Sequence, residues 1–292
     1  MRFSQNWKDF ELIDASNGEK LERWGDVILI RPDPQVIWNT EKGEVWAKAN
    51  AHYHRSSSGG GEWEQRSMKK AEWVIGYRDL RFHIKPTNFK HTGHFPEQAV
   101  NWDWFSSLIE AAPYPVRVLN LFAYTGGATV AAAAAGASVV HVDAAKGMVA
   151  QAKENAALSG LENAPIRYIV DDCKKFVERE IRRGHKYEAI IMDPPSYGRG
   201  PSGEVWKIEE AIDELIKLSA QLLSDRPLFF LVNSYTTGLS PLTMKYMIDL
   251  EITSRYGGNC EAGEIALPVL SRGTALPAGA SARWTSLGGY GK

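Results

Sequence analysis

From about Arg117 onward the chain alternates short apolar runs with longer amphipathic stretches. Residues 118–122, 138–142, 166–170, 188–192 and 228–232 are apolar runs too short for buried helices, and turn residues bound them. They read as strands. Between them lie segments whose apolar residues recur at helical spacing. An alanine-rich helix stops at Gly136, a second covers 146–158 and is closed by Gly160, and CKKFVEREIRR forms a third. VWKIEEAIDELIKLSAQLL predicts a helix over 205–223, and Ser240-Pro241 offers an N-cap and first-turn proline for one reaching about Arg255. The tail GEIALPVL…ALPAGASARWTS reads as a closing hairpin. Strands alternating with helices and then a hairpin predict an α/β fold: a doubly wound, Rossmann-like sheet, mostly parallel with an antiparallel edge.

Residues 1–85 carry a different pattern. FELID (10–14), DVILIRP (26–32), QVIW (35–38), EWVIGY (72–77) and LRFHIK (80–85) are β-prone, and Asn17-Gly18 and Lys42-Gly43 punctuate them. The SSSGGG run at 56–61 is flanked by β-type sequence on both sides, so it reads as a long hairpin loop. Eight of the ten tryptophans fall within the first 104 residues, so large aromatics build the core of a small β-rich module. The division expected is a module over 1–85 and a Rossmann-like domain over 86–292. Pro96 opens a helix whose apolar stripe runs through Ala99, Trp102, Phe105 and Ile109.

Composition narrows the function classes. With 292 residues, 44% hydrophobic, 24% charged and a net charge of −1, the chain is an ordinary globular protein and no bulk polycation. Any contact with nucleic acid must come from a local patch. The best candidate is the 66–91 stretch, with seven Lys/Arg against two acids; Lys69, Lys70, Arg78 and Arg81 stand within it. Arg182, Arg183, His185 and Lys186 form a smaller cluster that suits a helix C-terminus. Two cysteines without CxxC spacing fit a reducing compartment. No signal-peptide-like segment and no run of 18 apolar residues occurs, so a cytoplasmic protein with no membrane contact is expected. His83, His91 and His94 lack a carboxylate or cysteine at ligand spacing, and the protein is expected to bind no metal.

In doubly wound sheets, ligands sit beyond the carboxyl ends of the strands. Here those ends read Tyr124-Thr125-Gly126-Gly127, Asp143, Asp171-Asp172, Asp193-Pro194-Pro195 and Asn233-Ser234. One such acid alone equally caps a helix; four ends together point to a site. The turn Ala123-Tyr124-Thr125-Gly126-Gly127-Ala128 fails the G-x-G-x-x-G template that seats a pyrophosphate. A phosphate-free adenosine ligand fits better, with Asp143 for the ribose and Asp172 near the adenine. That ligand is S-adenosylmethionine.

LNLFAYTGGATVAAA, VDAAKGMVAQAKENAALSG, IVDDCKKFVEREIRRG and IIMDPPSYGRG, in that order, resemble the successive motifs of class I S-adenosylmethionine-dependent methyltransferases. The resemblance covers roughly residues 85–285 and is closest to the bacterial 23S rRNA methyltransferases acting on cytosine C5 or guanine N7. It implies cofactor contacts from Phe122, Ala123, Tyr124, Thr125, Gly126 and Gly127 around the methionine end. Asp143 and Ala144 would lie at the ribose and Asp171, Asp172 and Cys173 at the adenine, with S-adenosylhomocysteine as product. It implies that Asp193, Pro194, Pro195 and Tyr197 border the transferable methyl and the acceptor. Lys90 and Thr92, in a segment similar to the family's Lys-Thr-Gly approach, and Asn233 would face the substrate.

Methyl transfer is an in-line displacement, so catalysis is largely alignment plus a proton acceptor where one is needed. Exocyclic-amine enzymes usually place an aromatic directly after the two prolines; here Ser196 holds that place and Tyr197 follows. Cytosine-C5 chemistry needs an adding thiolate, which the C5 members carry after strand five. This chain has Asn233-Ser234-Tyr235-Thr236 there. The reading is a methyltransferase acting on a base of RNA, ribosomal RNA first, without a covalent cysteine intermediate. A small-molecule or protein acceptor, and a cofactor-binding RNA module without catalysis, are the rival readings.

Overall fold

The computed structural model describes residues 1–56, 60–87, 91–199 and 205–287, and the chain divides into two compact units. Arg2–Val100 and Ile265–Ala278 make the N-terminal unit. Met1, Asn101–Glu264 and Gly279–Lys292 make the other.

In the N-terminal unit, β1 (Arg2–Phe3) runs parallel to Ile265 and Ala266. Strands β2 (Phe10–Ser16), β3 (Glu19–Trp24) and β4 (Val27–Pro32) form an antiparallel meander. Strand β5 (Ala51–Arg55) lies parallel to β4 and antiparallel to β6 (Gly61–Gln65). Strands β7 (Trp73–Tyr77) and β8 (Leu80–Ile84) form a separate hairpin. The tryptophan-rich core is visible directly: Trp24 is fully buried and meets Phe10 edge-on at 4.7 Å, and Trp7 lies 4.7 Å from Tyr77. His94 is part of this core, 4.4 Å from the Phe82 ring, and burial pulls its imidazole pKa down to about 3. The bounded loop expected at 56–61 joins an antiparallel pair, with Ser56 N–H donating to Gly60 O at 3.1 Å; residues 57–59 lie outside the described residues.

One β expectation fails. QVIW (35–38) is no strand: Val36 is buried, Ile37 is 90% exposed, and the carbonyls of Val36 and Trp38 accept from the Gly18 and Asn17 amides. The run straps the Asn17-Gly18 turn, so its carbonyls serve that turn and no neighbouring strand.

The second unit starts from α1 (Ala99–Ala111), preceded by a 3₁₀ turn at Pro96–Gln98. Then follow β9 (Arg117–Leu121), α2 (Gly127–Ala134), β10 (Ser138–Asp143), α3 (Lys146–Leu158), β11 (Ile166–Val170) and α4 (Cys173–Arg183). After β12 (Ala189–Met192) come the short strands β13 (Tyr197–Arg199) and β14 (Val205–Lys207), then α5 (Ile208–Ala220) and β15 (Phe229–Ser234). Helix α6 (Pro241–Ile248) continues through a π turn into α7 (Ser254–Tyr256). The closing hairpin is β16 (Asn259–Val269) and β17 (Thr274–Thr285), and its chain contributes to both units. The strand order is β11-β10-β9-β12-β15-β17. All of these pairs are parallel except β15 with β17. This is the doubly wound sheet with an antiparallel edge. Among the described residues, no helix is long and apolar enough to cross a membrane.

The helix expected from residue 205 begins only at Ile208. Val205–Lys207 pairs antiparallel with Tyr197–Arg199 instead, and the Ile208 amide donates to Ser196 O at 3.1 Å. The small basic cluster after α4 does close that helix: Arg183 and His185 pair with the buried Glu180, and Lys186 donates to Gln221 O.

The N-terminal unit buries one ion pair that tests its packing. Glu22 is fully buried and takes Arg31 Nε at 2.6 Å and Nη2 at 2.9 Å, with Lys20 at 3.2 Å. Burial alone would raise the Glu22 pKa; the charges of Arg31 and Lys20 outweigh it and hold it at about 2. A depressed carboxylate contributes stability above its unfolded pKa of 4.5 and loses it as pH falls towards about 2. Glu22→Gln is therefore expected to cost about 3–5 kcal/mol, because it leaves Arg31 buried without a counter-charge. Urea unfolding followed by tryptophan fluorescence should show that loss at pH 7 and a flatter acid limb.

Candidate active site

The turn after β9 is built from backbone that L-residues avoid. Phe122, Tyr124 and Gly126 have φ of 53°, 50° and 83°. Two non-glycine residues in the left-handed region cost about 1–3 kcal/mol each, so the surrounding structure must hold them. It does so through named contacts. The Phe122 amide donates to Cys173 Sγ at 3.2 Å, the Ala123 amide to Val142 O at 3.1 Å, and the Tyr124 amide to Asp143 Oδ2 at 2.8 Å. Thr125 O accepts from Asn155 Nδ2 at 2.8 Å. The turn's amides are thereby fixed by the next strand and by helices α3 and α4. Gly126 is required twice over: a Cβ there would sit 2.8 Å from Ala152 Cβ, on a backbone at positive φ. At Gly127 a Cβ would sit 2.7 Å from the Trp102 ring. Beneath the turn, Asn120, Thr129 and His141 form a buried chain of hydrogen bonds, each 2.9 Å long. Burial keeps His141 neutral, with a pKa of about 4.

Asp143 closes β10 half-buried. Its Oδ2 takes the Tyr124 amide and its Oδ1 the Ala145 amide at 2.8 Å. Burial raises its pKa, against the pull of those two amides. Each oxygen keeps a second lone pair, so the carboxylate can order the turn and still accept from a ribose diol. Ala144 beside it is exposed. Asp171 follows β11, accepts from the Asp172 amide and pairs with Arg179. Asp172 caps α4 through Oδ1, which takes the Lys175 amide at 2.9 Å. The cap and the expected adenine contact are compatible, because Oδ2 is not needed for the cap. Cys173 is buried and burial pushes its thiol pKa far up, so it is an uncharged anchor for the Phe122 amide.

Asp193 follows β12, and its amide donates to Leu121 O at 3.4 Å, which sets it beside the start of the strained turn. The Pro194-Pro195 segment is clamped from its far side. Trp206 Nε1 donates to Pro195 O at 2.6 Å, its ring lies 5.2 Å from that of Phe122, and Ser196 Oγ bonds Thr236 Oγ1 at 2.6 Å. Tyr197, at the start of β13, is 52% exposed. Asn233, at the end of β15, is oriented by a relay. Arg283 Nε donates to Asn101 Oδ1 at 2.7 Å, and Asn101 Nδ2 donates to Asn233 Oδ1 at 3.0 Å. A guanidinium only donates, so Asn101 must turn its oxygen to Arg283. Asn233 then accepts from Asn101 and keeps its amino group as a donor.

The remaining expected residues belong to the N-terminal unit. Lys70 pairs with Asp26 at 2.8 Å, Arg81 Nη1 donates to the carbonyls of Arg78 and Leu80, Arg78 lies over the Tyr77 ring, and Lys69 is exposed. Thr92 is fully buried and its carbonyl accepts from the Lys85 amide; Lys90 lies outside the described residues. Asn155, Trp206, Asn101 and Arg283 escaped sequence reading. A signal existed for Asn155, an asparagine on the apolar stripe of an alanine-rich helix; the other three act across separations that no local pattern carries.

Strand ends bearing Asp143, Asp171, Asp172 and Asp193, with no Lys or Arg in 122–128, make a surface that disfavours phosphate and suits a cationic ligand. S-adenosylmethionine is a ligand of that kind, because its sulfonium and α-amino groups are cations and it has no phosphate, and the fold around these strand ends is Rossmann-like. A family model for S-adenosylmethionine-dependent methyltransferases matches residues 35–225, and the chain belongs to that family. A solved S-adenosylmethionine-dependent methyltransferase of Agrobacterium tumefaciens is 38% identical, with a TM-score of 0.92 over 98% of this chain and 93% of that one. A Streptococcus mutans structure, 18% identical with a TM-score of 0.74 over 96% of this chain and 76% of that one, shares the fold. Curated relatives include ribosomal RNA large subunit methyltransferase K/L of Pseudoalteromonas atlantica, 30% identical over 75% of this chain, and of Shewanella frigidimarina, 29% identical over 68%. The chain spans 33% and 26% of the lengths of those two proteins.

Gly126→Ala should lower S-adenosylhomocysteine affinity by about 5- to 150-fold, since it adds strain of about 1–3 kcal/mol to a turn that already holds two non-glycine residues at positive φ. Isothermal titration calorimetry on the folded variant measures this.

Proposed function

We propose that this chain methylates a base of ribosomal RNA in the cytoplasm, at a nitrogen and without a covalent cysteine intermediate. The observation that carries the catalytic half is the Asp193-Pro194-Pro195 turn, which Trp206 ties to Phe122 and Thr236 holds through Ser196. S-adenosylmethionine, when bound, supplies an electrophilic methyl group on sulfur. The chain's own task is alignment. Phe122 to Gly127, Asp143 with Ala144, and Asp171 to Cys173 hold the cofactor. Asp193, at the end of a rigid strand, accepts a hydrogen bond or proton from the acceptor base, and Pro194 and Pro195 fix the backbone that presents it. Tyr197 offers an exposed ring for stacking. The donor amino group of Asn233 recognises an acceptor atom on the base.

Two observations favour nitrogen over carbon C5. Cys173 is buried with its thiol held protonated, and Cys260 is buried on β16. A C5 enzyme needs a thiolate within reach of the ring.

The RNA half rests on the names of the curated relatives and on the basic stretch. In this reading the β-rich module over 1–85 binds RNA, and Lys69, Lys70, Arg78 and Arg81 meet phosphates. Lys90 and Thr92 are assigned to substrate binding on the likeness of Lys90-His91-Thr92-Gly93 to the family's Lys-Thr-Gly segment. Neutralising four phosphates would make binding strongly salt-dependent.

Mass spectrometry of ribosomal RNA from cells with and without the gene should reveal one lost methyl group, which names the nucleotide and the atom. Asp193→Ala should abolish turnover while S-adenosylhomocysteine binding persists. Replacing Lys69, Lys70, Arg78 and Arg81 together should weaken RNA binding; unchanged binding would point to a small-molecule or protein acceptor.

A further inference from the structure

We propose that the β5–β6 hairpin carries a binding site for a zinc-class divalent cation, formed by His52, His54 and Glu64. Among the described residues, these three offer ligand atoms that lie within 4.8 Å of one another. The strand pattern brings them together. His52 and His54 are two apart on β5, hence on one face, and Glu64 stands directly opposite His52 in the antiparallel register. The two imidazole rings are 4.0 Å apart.

The hydrogen bonds assign an atom to each ligand. His52 Nε2 lies 2.5 Å from Glu19 Oε1, a contact that needs a proton on Nε2. Nδ1 is left with its lone pair, 4.0 Å from Glu64 Oε2. His54 Nε2 lies 2.7 Å from the same Oε2. A tetrahedral zinc ion with bonds of about 2.0–2.1 Å separates its ligand atoms by roughly 3.3 Å. The two distances to Glu64 Oε2 bracket that value, so side-chain rotation can bring each imidazole nitrogen to bonding separation from it.

The supporting contacts have the form seen around histidine-ligated metals, where the second ring nitrogen donates to a carboxylate that fixes the tautomer. Glu19 does this for His52 and is itself held by Lys42 at 2.5 Å. Arg66 Nε donates to Glu64 Oε1 at 2.8 Å, which leaves Oε2 facing the imidazoles. Arg66 Nη2 lies 3.4 Å from both His52 Nδ1 and Glu64 Oε2. The guanidinium thus bridges two of the three ligand atoms as a cation would, and it is exposed enough to swing aside. Two imidazoles with one carboxylate select zinc, copper or nickel over magnesium and calcium, which prefer all-oxygen shells. The ion would tie β5 to β6 at the foot of the 56–60 loop.

Calorimetric titration of the full chain with zinc chloride tests the site. One equivalent should bind, and it should raise Tm through linkage. His54→Asn and Glu64→Gln change exposed side chains, so the fold should persist, and each should weaken zinc by more than about tenfold. Glu19→Gln should weaken it through the His52 tautomer, by about tenfold. Arg66→Gln should bind zinc as tightly or more so. S-adenosylhomocysteine affinity, measured on the same samples, should be unchanged in all four. Absence of zinc binding, zinc binding that survives His54→Asn and Glu64→Gln, or equal binding of magnesium would overturn the proposal.

Discussion

The backbone of the Phe122–Gly126 turn lies in the left-handed region at alternate residues, two of them not glycine, and much of the second unit is arranged to hold it there. Cys173, Asp143 and Asn155 each contribute one hydrogen bond, and they come from α4, the end of β10 and α3 respectively. A turn left free in water would relax. Here its amides and carbonyls are assigned in advance, so a ligand meets a preorganised surface and does not bear the cost of ordering it. The same constraint explains the acid at the end of β10. Asp143 is a structural partner of Tyr124 before it is a partner of any ribose, and its raised pKa is the mark of that half-buried position.

The turn after β12 and the end of β15 are held by a second set of long-range contacts. Trp206 touches both the Pro195 carbonyl and the Phe122 ring, so one side chain couples the Asp193-Pro194-Pro195 turn to the Phe122–Gly126 turn. Asn101, Ser281 and Arg283 come from the first helix and the last strand of the unit, and together they set which way the Asn233 amide faces. Such buried polar relays are specific because every misorientation leaves a donor or acceptor unmatched.

The fold of the second unit was legible in the sequence because five short apolar runs, each closed by a turn residue or an acid, have one economical arrangement. The strand ends that carry Tyr124, Asp143, Asp171, Asp172 and Asp193 were legible for a related reason, because pattern alone locates where each strand stops. What stayed hidden was non-local. Val205 to Lys207 has helical spacing, yet it pairs as a strand because Trp206 reaches back to Pro195. QVIW is β-prone, yet its carbonyls serve the Asn17-Gly18 turn. His52 and His54 gave no signal until the β5–β6 register set Glu64 against them. The burial of Thr92 was hidden too, because exposure is not readable from a polar loop.

The central claim is that the 122–127 turn is shaped for an amino-acid tail and a phosphate-free nucleoside. Calorimetric comparison of S-adenosylhomocysteine and NAD on the same preparation tests it most directly. S-adenosylhomocysteine should bind with one-to-one stoichiometry while NAD gives no saturable heat. NAD binding as tight as S-adenosylhomocysteine, or tighter, would contradict the account.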